Sequence, residues 1–141
     1  MKTSAFKKDD IIGRTYSFEF DILDKHTDRA TGSGDLDILS MSALTIMIEY
    51  AAYKVLEDIL EEGQTSIGTN INISHIPASP VGIMAAVEAK LVSTRGDAFV
   101  FEVSASDEAG DICTGTHIRI IVDEKTFIEE ANMRRSVNLR R

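Results

Sequence analysis

The 141-residue chain lacks several features that would assign it to common protein classes. It contains a single cysteine, Cys113, so it cannot form an internal disulfide. It has no apolar run near the roughly 20 residues that a membrane-spanning helix needs, and residues 1–10 lack the apolar core of a signal peptide. These absences predict a soluble protein of a reducing compartment, so we expect a cytoplasmic location and no membrane partner.

Positive charge is also in short supply. The chain has 15 Lys and Arg against 23 Asp and Glu, a formal net charge of -8. Such a chain repels polyanions, so we expect no nucleic-acid partner. Its three histidines and one cysteine are widely scattered, a pattern that does not favour a metal site, and we expect neither a metal nor a cofactor.

The chain shows no internal repeat, low-complexity segment or linker that would divide it. With 141 residues and 43% hydrophobic content, it is long enough for one core and short for two. We therefore predict one domain over residues 1–141, with a core at about 11–130 and a frayed basic tail at 132–141.

The stretch Met41–Ala52 (M-S-A-L-T-I-M-I-E-Y-A-A) is apolar on nearly every side. It predicts a helix that starts at Ser40–Ser42, where either serine can cap the first turn, and ends at Gly63. Having no obvious solvent face, this helix should be wrapped by other structure. It nevertheless carries one charge, Glu49, and a buried carboxylate requires a partner or a function.

Alternating apolar and polar residues predict five strands. They lie near residues 15–23, 66–75, 83–91, 99–106 and 112–122. Residues 24–35 are polar and rich in glycine, which indicates a mobile connection, and a short helix over 124–133 follows the last strand. One long helix must then cover one antiparallel sheet, which is the α+β hot-dog architecture. Exposed sheet edges favour pairing into a homodimer or a higher oligomer.

Strand parity predicts that His75 faces the helix. It has the same parity as Ile71 and Ile73, so its imidazole and the Glu49 carboxylate should share one layer and could form an acid/base pair. The alternative is structural, with Glu49 satisfied by backbone or a partner subunit and His75 a hydrogen-bonded core histidine.

Ser42 and Thr45 precede Glu49 by seven and four residues, so all three lie on one helical stripe. Ser42 could equally be a helix cap, and Thr45 could bond back to a carbonyl of its own helix. The same parity reasoning puts Cys113, His117 and Arg119 on the outer sheet face. We therefore predict that His117 is not catalytic and that Cys113 is inert.

Three segments together resemble one known family. They are I-L-S-M-S-A-L-T-I-M-I-E-Y-A-A, S-I-G-T-N-I-N-I-S-H-I-P-A-S-P-V-G (66–82) and C-T-G-T-H-I-R-I-I-V-D (113–123). Over residues 11–130 the chain resembles the fluoroacetyl-CoA thioesterase-like branch of the hot-dog superfamily. The resemblance implies a catalytic Thr, Glu and His with a backbone N–H near a motif glycine. By position these give Glu49, His75 and Gly68.

The family threonine does not carry over, because its position is occupied by Met41 between Ser40 and Ser42. Either serine is a candidate to supply the hydroxyl. We predict Glu49, His75 and Ser42 as the catalytic set. The predicted substrate-binding set is Gly68, Ser40, Met41 and Thr45.

The resemblance implies an acyl-CoA thioesterase that hydrolyses a small acyl-CoA to the free acid and CoA. Because Met41 replaces the threonine, a non-hydrolytic protein that binds or senses acyl-CoA is the alternative. A hot-dog hydratase is less favoured, because the sequence has no hydratase-type pair of Asp and His within one short motif.

Overall fold

The computed structural model describes residues 8–139, with side chains described for residues 10–135. Five strands and three α-helices follow one another along this part of the chain. They are β1 (Thr15–Asp21), α1 (Asp28–Thr31), α2 (Met41–Leu56), β2 (Gln64–His75), β3 (Met84–Arg95), β4 (Ala98–Asp107), β5 (Gly110–Asp123) and α3 (Glu124–Leu139). The described residues include no helix long and apolar enough to cross a membrane.

The strands form one antiparallel sheet in the order β1-β3-β4-β5-β2, so β1 and β2 are its edges. Helix α2 packs on one face of this sheet and buries an apolar stripe of its own against it. The buried residues of α2 are Ala43, Leu44, Ile48, Ala51, Ala52, Val55 and Leu56. Each fully buried Leu or Ile contributes about 2 kcal/mol. The predicted α+β fold, five strands around one helix, is confirmed.

Helix α2 begins where the sequence predicts and ends earlier. Ser40 is buried, has extended backbone angles, and its Oγ accepts the Ala43 N–H at 3.0 Å, which caps the first turn. The α-helix stops at Leu56 and tightens into a 3₁₀ turn over Glu57–Ile59, rather than reaching Gly63. This turn keeps Ile59 packed against the core.

The predicted parity of β5 is wrong. Cys113, His117 and Arg119 are all buried on the helix-facing side of the sheet, whereas the sequence analysis placed them outside. The cause lies in β5 itself, which carries large apolar residues on both faces, so alternation alone does not identify the buried one. The neighbouring strand identifies it: Phe99 lies opposite Arg119, and Phe101 lies opposite His117.

Edge strand β2 contains an irregularity that changes which side of the sheet every residue before it faces. Its pairing with β5 shifts between Gly68 and Asn70, leaving Thr69 as an extra residue. Such a bulge reverses side-chain parity on passing through it. Gly68 therefore faces the same side of the sheet as Ile71, although the two are three positions apart and would face opposite sides in a regular strand.

Two further segments differ from the predictions. The connection predicted to be mobile forms helix α1, and bridges join Thr27 to Leu39 and Ile38 to Pro80. Helix α3 continues to Leu139, so residues 132–139 are helical where a frayed tail was predicted. Residues 140 and 141 lie outside the described part of the chain.

Candidate active site

Three polar side chains converge above Gly68, where β2 passes close to α2. The position that a Gly68 Cβ would occupy lies 3.0 Å from Glu49 Oε2, 2.9 Å from His117 Cε1 and 3.5 Å from Arg119 Nη1. A carboxylate, an imidazole and a guanidinium thus meet around one point. We call Glu49, Gly68, His117 and Arg119 the Gly68 cluster.

Strand register explains why these residues meet. Gly68 lies directly opposite Arg119, and Ile71 lies opposite His117. Because of the bulge at Thr69, both β2 residues face the layer that also contains the two β5 side chains. Glu49 enters this layer from α2, and the absence of a Gly68 side chain leaves room for its carboxylate.

His117 is fixed in one tautomer. Its Nδ1 lies 2.8 Å from the Asn70 carbonyl oxygen, which can only accept, so Nδ1 carries the hydrogen and donates. Its Nε2 is then an acceptor for the Arg119 Nη1–H at 3.2 Å. Burial lowers the pKa of His117, with Arg119 acting in the same direction, while the Asn70 carbonyl and Glu49 oppose them. The ring is therefore neutral at pH 7.

Arg119 is a buried cation with only 6% of its surface exposed. Its Nε donates to Ser66 Oγ and its Nη2 donates to the Ser66 carbonyl oxygen, both at 2.9 Å. Burial lowers the pKa of Arg119, and the Glu49 charge opposes this effect. The guanidinium is thus held by three hydrogen bonds with Glu49 as a nearby counter-charge.

His75 faces the helix side of the sheet, as predicted, because it lies opposite the buried Cys113. Its Nε2 is buried and has no hydrogen-bond partner among the described residues. Burial lowers the pKa of His75, and Asp28 opposes this weakly.

A single chain nevertheless does not bring His75 to Glu49. His75 is seven residues beyond Gly68 on β2, or about 23 Å at the rise of an extended strand. The expectation that the two groups face each other is therefore wrong within one chain.

Helix α2 is not enclosed on every side, contrary to the prediction. Ile46 is 67% exposed, Tyr50 is 46% exposed and Met41 is 49% exposed. Ser42, Thr45 and Glu49 share the stripe of Ile46 and Tyr50, in the expected helical spacing. Glu49 is consequently half-buried, between the cluster on one side and this open stripe on the other.

A separate groove lies on the opposite face of the sheet. It measures about 410 Å³ and is lined by Glu88, Lys90, Glu102 and Thr116 among others. None of its lining residues belongs to the Gly68 cluster, and it presents no paired acid and imidazole. The helix side of the sheet, where a carboxylate and an imidazole lie together, is therefore the candidate active site.

The chain is similar in sequence to a described family. A family described as fluoroacetyl-CoA-specific thioesterase matches residues 22–125, which is well over half of the chain. The chain belongs to the fluoroacetyl-CoA-specific thioesterase family. The fluoroacetyl-CoA thioesterase of Streptantibioticus cattleyicolor is 31% identical over 91 residues, covering 64% of this chain and 66% of that protein, just under two thirds of its length.

Solved structures support the same assignment. A variant of the fluoroacetyl-CoA-specific thioesterase FlK in complex with fluoroacetate and CoA is 26% identical, with a TM-score of 0.76, over 82% of this chain and 98% of that one. A hot-dog-like protein from Thermanaerovibrio acidaminovorans shares the fold, with a TM-score of 0.82 and 17% identity, over 92% of this chain and 97% of that one.

The hydroxyl that the resemblance predicts is absent at position 41, which is a methionine. Met41 is the first residue of α2, and the Ser40 hydroxyl already caps that helix. Ser42 is exposed on the stripe of Glu49, about 10 Å before it along the helix axis. Thr45 is half-buried one turn before Glu49. Ser42 is thus the serine whose hydroxyl does not cap α2.

Sequence reasoning missed His117 and Arg119 as members of the site. The signal that could have found them is their pairing with Phe101 and Phe99 of β4. Those two phenylalanines belong to an unambiguous alternating strand with a buried apolar face, so residues directly opposite them must share that face.

Proposed function

We propose that this member of the thioesterase family hydrolyses a small acyl-CoA thioester to the free acid and CoA. The observation that carries the proposal is the Glu49 carboxylate held over Gly68 at the open stripe of α2. A relative of similar fold was solved with fluoroacetate and CoA, which supports a CoA thioester as the substrate class. The acyl group itself is not part of the proposal.

We propose further that the working protein is a homodimer formed through β2. This strand is a sheet edge of 12 residues, and an edge of that length is a ready template for pairing with another strand. Directly after it in the chain comes Ile76, an apolar residue that is 85% exposed. A second copy would cover both the edge and Ile76.

A two-fold axis through Asn72 would complete the site. Because Thr69 is an extra residue in the bulge, Gly68 and His75 lie three pairing positions to either side of Asn72 and face the same side of the sheet. Antiparallel pairing of β2 with its copy therefore sets Gly68 opposite His75 of the partner subunit. The unsatisfied Nε2 of His75 would then lie near the other chain's Glu49. Each of the two sites would contain one residue from each subunit.

In this arrangement the roles follow from thioester chemistry. Glu49 either attacks the carbonyl carbon to form an acyl–glutamyl anhydride that water then hydrolyses, or removes a proton from the attacking water. The C–S bond breaks and CoA leaves as a thiolate; the neutral His75 of the partner subunit can accept a proton from the attacking water and pass it to that thiolate. The N–H of Gly68 is the candidate donor to the thioester oxygen, and Ser42 and Thr45 line the approach along α2.

The experiment that tests this proposal is subunit complementation. Glu49→Gln and His75→Ala variants, each inactive, are unfolded together, refolded as a mixture and assayed for thiol release from short, branched and aromatic acyl-CoAs. A mixed dimer contains one intact site, so a 1:1 mixture should recover about a quarter of the parent activity.

Each variant refolded alone is the control and should remain inactive. If the mixture stays inactive while native mass spectrometry shows mixed dimers, both residues act within one chain and the proposed site is wrong. A monomeric parent with full activity would also overturn the dimer.

A protein that binds acyl-CoA without turnover is the second candidate, favoured by Met41 at the position of the family hydroxyl. The same thiol-release assay separates the two. Binding of acyl-CoA by the parent in calorimetry without thiol release would establish binding alone, whereas release that Glu49→Gln abolishes establishes catalysis.

We infer a cytoplasmic setting. The support is Cys113, which is a free, buried cysteine whose thiol pKa is raised by burial. An unpaired thiol of this kind is typical of proteins kept in reducing compartments.

A further inference from the structure

We propose that Arg119 is a positioning residue for Glu49: Ser66 and His117 hold its guanidinium so that it orients the carboxylate across the space above Gly68. The inference rests on the proposed function, because it assigns Arg119 a part in the reaction of Glu49. Arg119 acts through the carboxylate and does not touch the substrate.

The first support is the rigidity of the guanidinium. All three of its nitrogens are hydrogen-bonded, Nε and Nη2 to Ser66 at 2.9 Å and Nη1 to His117 Nε2 at 3.2 Å. The planar fork cannot rotate without breaking these bonds. His117 is itself anchored by its bond to the Asn70 carbonyl at 2.8 Å, so the chain of contacts ends at the backbone of β2.

The second support is the charge. A guanidinium that is 6% exposed requires a compensating anion, because an unpaired buried charge costs several kcal/mol. Ser66 and neutral His117 supply acceptors without charge. Glu49 supplies the charge, since its Oε2 and Arg119 Nη1 both lie within 3.5 Å of the vacant Cβ position of Gly68.

The third support is the location of Gly68. Any larger residue would fill the space between Glu49 and Arg119, because its Cβ would lie 3.0 Å from Glu49 Oε2 and 3.5 Å from Arg119 Nη1. The glycine therefore gives the guanidinium direct electrostatic access to the carboxylate. An arginine that only filled the core would not require a glycine at position 68.

The experiment compares Arg119→Met and Arg119→Lys, with Arg134→Met as the matched control for loss of one positive charge, because Arg134 is exposed on α3. We expect Arg119→Met to lower kcat about 100-fold with KM changed less than threefold, the size of effect that a misplaced reacting group produces. Arg119→Lys keeps the charge but not the fork, and should recover about tenfold of the loss. Arg134→Met should retain the parent kcat.

A second measurement does not depend on turnover. Melting temperatures of Arg119→Met, Glu49→Gln and the double variant form a double-mutant cycle. If the two side chains interact, the double variant should lose at least about 3 °C less than the sum of the single losses.

The outcomes separate the two proposals. No thiol release by the parent would refute the proposed function, while non-additive melting temperatures would still establish the electrostatic coupling between Glu49 and Arg119. An active parent with unchanged kcat in Arg119→Met, or additive melting temperatures, would overturn the positioning role.

Discussion

The two histidines on the helix side of the sheet differ in whether their ring nitrogens have hydrogen-bond partners within the chain. His117 uses both ring nitrogens, donating to the Asn70 carbonyl and accepting from Arg119. His75 has a buried Nε2 without a partner among the residues described. The first ring is satisfied within its own chain, and the second is not.

This difference indicates where the single chain is incomplete. Burying an unpaired polar atom costs about 1–3 kcal/mol, so a histidine in that state is expected only where another group reaches it. His75 lies near the end of the free edge strand β2, and the exposed Ile76 follows it directly. A second copy paired with β2 would explain the unsatisfied nitrogen, the exposed Ile76 and the unpaired edge together.

The largest expected effect comes from substituting the two histidines in parallel. His75→Asn should lower kcat about 100-fold or more, the contribution of one acid/base group, and leave the free energy of unfolding nearly unchanged. His117→Asn should lower the free energy of unfolding by about 2 kcal/mol, because it breaks two buried hydrogen bonds. Thiol-release kinetics and urea unfolding measure the two quantities.

The comparison fails if the pattern is reversed. A His75→Asn variant with parent kcat, or one that loses as much stability as His117→Asn, would make His75 a core residue like its counterpart. A His117→Asn variant of parent stability would show that its two hydrogen bonds contribute no net free energy.

An intermediate effect is expected from Gly68→Ala, which disturbs the part of β2 that lies beside the hydrogen-bonded His117. The new Cβ would lie 2.9 Å from His117 Cε1 and 3.0 Å from Glu49 Oε2. His117 is anchored, so the flexible Glu49 side chain should move, and we expect kcat to fall about tenfold with a stability loss of about 1 kcal/mol.

Gly34→Ala is the matched control, because its built Cβ contacts only the Asp28 side chain, at 3.2 Å and beyond. Its kcat should equal that of the parent. If Gly68→Ala also retained parent kcat, the space above Gly68 would have no part in holding the carboxylate.

Much of the fold could be predicted from local sequence because its causes are local. Ser40 caps α2 as expected, since a serine hydroxyl before an apolar run reaches the third N–H beyond it. The side of His75 followed from its parity with Ile71 and Ile73, because no bulge separates the three residues. The strand alternations likewise gave the sheet and its apolar face.

The errors concern information that a local pattern does not contain. For β5, apolar residues such as Ile118 and Ile120 lie opposite in parity to His117 and Arg119, and only the register with β4 determines which side is buried. The prediction that Glu49 and His75 of one chain face each other failed for a different reason. Parity fixes the face of a residue but not its distance along the strand, and the missing distance is one that a second subunit can supply.

The smallest expected effect is on the pH dependence of stability, where both histidines should contribute with the same sign. Burial lowers the pKa of each below its ordinary value of 6.5, so the unfolded chain takes up the proton first as the pH falls. Their stabilising contribution is therefore complete above pH 6.5 and is lost as the pH decreases below it.

Urea unfolding of the parent, His75→Asn and His117→Asn at about pH 7.5 and pH 5.5 measures this contribution. The protein concentration is held constant, because the stability of a dimer depends on it. Carboxylates titrate alike in all three proteins, so the differences report the histidines. The parent should lose the most stability on acidification, and His117→Asn should lose the least, because the ring it removes is 1% exposed whereas His75 is only half-buried. Equal losses in all three proteins would mean that neither ring is kept neutral by the fold, and the contrast between a satisfied and an unsatisfied histidine would lose its electrostatic basis.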